Sequence, residues 1–179
     1  MGYTGGTTKD PTYYSLGDHT ETVEIDFDPT QVSYETLVEE FFKAHDATRS
    51  STKRQYMSAI FTHGSEQERV ARQVMQRVQA ATNRTVQTQV LPAETFYLAE
   101  DYHQKYALRG NGTLFAEFKA MYPDFWDLVD SAAASRVNAY LYGFGTAEQL
   151  AAELDRLGLS EAGRQALIQS VPAGVCPVL

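Results

Sequence analysis

Cysteine is all but missing from this sequence. The one thiol, Cys176, lies close to the C-terminus, so an internal disulfide framework is excluded and a cytosolic (cytoplasmic) setting is the expectation. Long apolar runs are missing as well. None approaches the roughly 20 residues that a bilayer-spanning helix needs, and no charged-then-apolar leader opens the chain, because Met1 runs straight into Gly2-Tyr3-Thr4-Gly5-Gly6. Positive charge is scarce and scattered. Fifteen Lys and Arg stand against 23 Asp and Glu, for a net charge of -8 and a pI near 4.9, and no basic run is longer than Lys53-Arg54. Phosphate binding needs clustered cations, so nucleic acid and anionic membrane surfaces are poor partners.

What is present is ordinary for a globular chain: 179 residues, 43% hydrophobic and 21% charged. That is enough for one compact core with a short appended module. Residues 1–21, rich in Gly, Thr, Tyr and Pro, read as irregular loop. Thr22-Val23-Glu24-Ile25-Asp26-Phe27 alternates apolar and polar, which predicts a half-buried strand. Ser33 is a good N-cap for a helix bearing Tyr34, Leu37, Val38, Phe41 and Phe42 at helical spacing. Gln55 to Thr62 reads as a second strand. Ser65-Glu66-Gln67-Glu68 reads as a capping box opening a helix with Val70, Val74 and Val78 on one face. Thr85 to Leu91 is a third strand. This order predicts an α/β or α+β sandwich. Beyond Pro92 the pattern turns helical, with a short helix from Glu100 to Tyr106 and a largely helical stretch from Thr113 to Ile168. Gly110-Asn111-Gly112 marks a soft boundary, giving a core over 1–110 and a helical extension over 111–179.

Few segments carry chemistry. Asp18-His19-Thr20-Glu21 precedes the first strand, and a carboxylate there can act as a general acid if its neighbours favour the protonated form. No second cluster with ligand spacing accompanies it, so a metal site is not expected. His45-Asp46 stands at a helix end, where a histidine is electrostatically favoured. Tyr56 falls in a strand, ordinarily a packing position for tyrosine. Phe96 to Tyr106 is dense in aromatic and ionisable groups, and Asp101 and Lys105 are i,i+4 neighbours. Cys176, near a chain end, is open to exchange or oxidation.

Taken in order, Gly2-Tyr3-Thr4-Gly5-Gly6, Pro11-Thr12-Tyr13, Gly17-Asp18-His19-Thr20-Glu21, Phe41-Phe42-Lys43-Ala44-His45-Asp46, Gln55-Tyr56-Met57-Ser58-Ala59-Ile60-Phe61 and the Phe96 to Tyr106 run resemble the A-type peptide methionine sulfoxide reductases, the MsrA family. The resemblance spans roughly residues 2–106. It implies a two-layer sandwich of a mixed sheet with helices, a ferredoxin-like core, and thiol-dependent reduction of (S)-methionine sulfoxide, free or in peptides, as protein repair under oxidative stress. It implies no cofactor beyond thioredoxin or another thiol as reductant, an oxidised protein or peptide as partner, no membrane, and a monomer. By the same resemblance Glu21 would donate the proton, Tyr3 and Tyr56 would contact the sulfoxide oxygen, Asp46 would order the pocket, and Cys176 would be a distal resolving cysteine.

The sequence departs from the family's pattern at its start. The Gly-Cys-Phe-Trp motif that bears the family's nucleophile should precede Gly2 and does not occur. Ala47 stands in place of a proline, Met57 in place of an arginine, and the loop between Asp46 and Gln55 is shorter. Three readings follow: a working reductase whose first segment precedes Met1, a non-catalytic module that binds oxidised methionine or a protein partner, or a protein whose nucleophile is Cys176.

Overall fold

A computed structural model describes residues 1–171, and Cys176 therefore lies outside the described residues. The chain divides into two compact units, Met1–Glu100 and Asp101–Leu179. Gly110-Asn111-Gly112, read from the sequence as a boundary, lies inside the second unit, where Gly110 ends one helix and Gly112 opens the next.

In the first unit, β1 (Gly2–Thr4) lies at the centre of an antiparallel sheet between β2 (Thr20–Thr22) and β5 (Tyr97–Leu98). The glycine-rich start is thus a strand and not the irregular loop expected. Its glycine serves close approach: a Cβ on Gly2 would stand 2.3 Å from Phe96 Cζ and 2.5 Å from the Tyr97 carbonyl oxygen. Tyr3 pairs with Glu21 on one side and Tyr97 on the other, so all three side chains share one face of the sheet.

A second, parallel sheet joins β3 (Ala59–Thr62) to β4 (Gln89–Pro92) through the crossover helix α2 (Ser65–Thr82). Helix α1 (Tyr34–Lys43) packs beside α2. Ser33 caps α1 as its type predicts, accepting from Thr36 N. Val38 and Phe42, four apart, face inward and join Ile60, Ala71, Val74 and Val90 in the core. The start of α2 differs from expectation. Ser65 is already helical, Gly64 holds the N-cap place without a side-chain bond, and Gln67 accepts from His63 N instead. Asn83 ends α2 in the left-handed conformation, at φ 52°.

The class is mixed α/β, as expected, with the strands divided between these two small sheets. The expected strand over 22–27 stops at Thr22. Val23 and Ile25 are 59% and 58% exposed, because no strand pairs with Val23–Phe27 among the described residues. Val23, Ile25 and Phe27 instead line a cavity of about 210 Å³ opposite Ile60, Phe61 and α1.

The second unit is helical: α3 (Tyr106–Gly110), α4 (Gly112–Met121), α5 (Phe125–Asp130), α6 (Ala132–Leu141), α7 (Ala147–Glu153) and α8 (Glu161–Ser170). Leu108, Leu114, Phe118, Leu128, Val137 and Leu167 form its buried centre. Asn111, Asp124, Ser131, Thr146 and Ser160 each cap a helix start with a side-chain oxygen. The expected helix over 100–106 is a 3-10 turn at Asp101–His103, followed by Lys105 at φ 49°, which restarts the helical path as α3. Among the described residues, no helix is long and apolar enough to cross a membrane.

Candidate active site

Glu21 sits at the middle of β2, opposite buried Tyr3. Its Oε1 accepts from Gln55 Nε2 at 2.5 Å. Gln55 is on the 3-10 turn Arg54–Tyr56, which leads into β3 and carries Tyr56 half exposed at 53%. The Tyr56 phenol in turn lies beside that of Tyr13. The neighbouring Tyr56 hydroxyl holds the Tyr13 phenol above its ordinary range, and the Tyr56 charge, burial and the Glu21 carboxylate act in the same direction, with Lys53 opposing. One carboxyl and two phenols thus come together from a strand, a loop and a turn far apart in sequence.

The loop that carries Tyr13 is tied down side chain by side chain. Asp18 accepts from Thr7 N at 2.8 Å and Thr8 N at 3.1 Å, and from both threonine hydroxyls. These four donors, Thr7 N foremost, hold the Asp18 carboxyl well below the usual carboxylate range. His19 is buried; its Nδ1 accepts from Gly6 N at 3.2 Å and its Nε2 lies 2.7 Å from Thr8 O, so the proton belongs on Nε2. Arg54 donates to Gly5 O at 2.5 Å and Asp18 O at 2.6 Å, clamping both ends of the loop to the turn that bears Tyr56.

Tyr3 has a different place from the one the sequence suggested. It is 1% exposed, and its hydroxyl donates to Glu100 Oε2 at 2.6 Å. The other Glu100 oxygen accepts from Tyr13 N at 3.0 Å. Tyr3, Leu16 and Ala99 form a small core against which Tyr13 and Tyr97 pack. Tyr3 and Glu100 are therefore the floor that positions Tyr13, and Tyr13 is the phenol that meets Tyr56.

Asp46 folds onto its own loop, accepting from Thr48 N at 3.0 Å and Thr48 Oγ1 at 2.6 Å, with Arg84 at 3.8 Å. The Thr48 hydroxyl chiefly, then Thr48 N, holds its carboxyl below the usual carboxylate range. His45 closes α1, with Nδ1 2.9 Å from Phe41 O and Nε2 2.8 Å from Ser58 Oγ, which lies 2.8 Å from Thr88 Oγ1.

Sequence reasoning passed over Tyr13, Gln55 and Glu100. Tyr13 and Gln55 each stood inside a quoted motif, one residue of several without a role, and Glu100 stood in the dense Phe96 to Tyr106 run. Only the β1–β5 pairing and the Arg54–Tyr56 turn give them one. Among the described residues, no group of three or more His, Cys, Asp or Glu could hold a metal ion.

Comparison with known proteins shows the family. The family model for peptide methionine sulfoxide reductase matches residues 1–123, reaching through α4. A peptide methionine sulfoxide reductase of Drosophila melanogaster is 38% identical over 167 residues, covering 92% of this chain and 67% of its own. The MsrA of Acidobacterium capsulatum is 43% identical over 116 residues, covering 59% of this chain and 74% of its own. Among solved structures, Mxr1 of Saccharomyces cerevisiae in reduced form superposes with a TM-score of 0.57 at 26% identity, over 62% of this chain and 68% of that one. By the family match and by the fly relative, this chain belongs to the peptide methionine sulfoxide reductase family.

Proposed function

We propose that this chain reduces (S)-methionine sulfoxide at the Glu21, Tyr13 and Tyr56 cluster, with a thiol as the electron source. The observation that carries the reading is the meeting of one carboxyl with two neighbouring phenols, one on a clamped loop and one on the turn that clamps it, in a member of a family of sulfoxide reductases. The sulfoxide oxygen is a strong acceptor, and two phenolic O–H donors suit it. A thiolate attacks the sulfoxide sulfur while a carboxylic acid, Glu21, delivers a proton to the oxygen. The products are the thioether and a sulfenic acid. A second thiol displaces water from the sulfenic acid, leaving a disulfide that an external dithiol such as thioredoxin reduces. Tyr3 supports Tyr13 from below, and Asp46 shapes the loop that ends in Tyr56. Residues 1–171 contain no cysteine, so the thiol enters from Cys176 or from outside these residues. Residues 1–110 form the reductase core in this reading, 111–179 extend it, and the protein acts as a cytoplasmic monomer on oxidised proteins and peptides.

The test is an assay of a methionine sulfoxide peptide with dithiothreitol, each epimer followed separately. Consumption of the S epimer with the R epimer spared is the expected result. Saturable binding of the S epimer without turnover would instead favour the non-catalytic reading, and no binding of either epimer would remove both.

A further inference from the structure

The loop leading into Tyr56 carries charge of one sign. Arg49, Lys53 and Arg54 stand on it, and no Asp or Glu occurs between Asp46 and Glu66. In a chain of net charge -8 this is a local inversion of sign. Arg54 is committed to Gly5 O and Asp18 O. Arg49 has a different position: with His45, Ser50, Ser51, Tyr56 and Met57 it lines an open cavity of about 390 Å³. Tyr56 is therefore shared between this cavity and the phenol pair. Asp46, the acid at the start of this loop, is divided among Thr48, Arg84 and Arg49 and leaves the loop net positive. Lys53 acts on the other phenol, since its charge reaches Tyr13.

We propose that this cavity is a subsite for an acidic side chain next to the oxidised methionine, with Arg49 as the cation that selects it and the Ser50 hydroxyl as a further donor. The proposal rests on the sulfoxide reading of the adjoining site. Neighbouring residues of an extended peptide are about 3.3 Å apart along the chain, so a peptide with its sulfoxide at Tyr13 and Tyr56 brings a flanking side chain to the cavity that Tyr56 borders. Water reaches this cavity, so the attraction is that of an exposed ion pair, modest and screened by salt. The substrate class it favours is an oxidised methionine in an acidic stretch of chain.

Three blocked pentapeptides test this, each with (S)-methionine sulfoxide at its centre and flanked on both sides by Asp, Ala or Lys. Their dissociation constants are measured by titration at low salt and in about 0.5 M sodium chloride, where the screening length falls to a few ångström. The Asp peptide is expected to bind roughly threefold to fivefold tighter than the Ala peptide, and the Lys peptide more weakly than either. High salt removes the ranking, and so does Arg49→Gln, whereas Arg49→Lys retains most of it. Equal binding of the three peptides to the unaltered protein at low salt overturns the subsite and leaves the sulfoxide site standing. A ranking that survives in Arg49→Gln also overturns it. Failure of all three peptides to bind overturns the sulfoxide site and the subsite together.

Discussion

At the scale of single residues, the site is a chain of contacts with Tyr13 at its hinge. Glu100 holds its backbone, Tyr3 packs beneath it, and its hydroxyl meets Tyr56. Glu21→Gln keeps the shape of the side chain and its place beside Gln55 but cannot give up a proton. Turnover should fall by about 10²-fold or more, the ordinary share of a general acid, with peptide affinity little changed; single-turnover kinetics check this. Tyr13→Phe removes one donor to the sulfoxide oxygen and should weaken catalysis by about 10-fold or more, in keeping with loss of one oriented hydrogen bond. Asp18 supports the same loop electrostatically. Its carboxyl lies below the ordinary value of 3.8 in the folded protein, so its contribution is complete above that value and is lost as pH falls through the folded one. Asp18→Asn should therefore flatten the acid side of the stability profile below about pH 4, as measured by denaturant titration at several pH values. Asp18 and Glu21 were both legible in the sequence as carboxylates at a loop–strand junction. Tyr13 was not, because its partner Tyr56 is remote in the chain and only the closed loop brings the two hydroxyls together.

At the scale of elements, local rules succeeded where a segment's own side chains decide its form. Helix α1 is capped by Ser33 and buries Val38 and Phe42 as its periodicity requires. The rules failed where a neighbour decides. Val23 to Phe27 has a strand's alternation, yet a strand needs a partner to take its backbone hydrogen bonds, and none lies beside it among the described residues. Its amides should exchange with solvent far faster than those of β1, which is paired on both sides; hydrogen exchange resolved by residue checks this. Conversely, Gly2–Thr4 has no strand-like composition but is held between two partners. Gly2→Ala would press a methyl into Phe96 and the Tyr97 carbonyl and should cost about 1–3 kcal/mol, the usual range for an overpacked site, seen as a lower denaturation midpoint.

At the scale of the whole molecule, each of the two units has its own main core. One is built on β3, β4, α1 and α2, and the other on the helices that follow Asp101. Phe118, fully buried in the second, should cost about 3–5 kcal/mol when cut to Ala, with the loss read in a denaturant melt followed by helical circular dichroism. The acidic character, the single late cysteine, the mixed α/β class and the resemblance to sulfoxide reductases were all determined by the sequence, because composition, periodicity and short ordered motifs are properties of neighbours along the chain. The tertiary structure decided three other matters. It took Tyr3 inward to Glu100, put Tyr13 against Tyr56, and set Arg49 beside that phenol in a cavity. Each depends on which side chains meet across long loops, and hydrogen bonds between groups remote in sequence are settled only when the chain has closed around them.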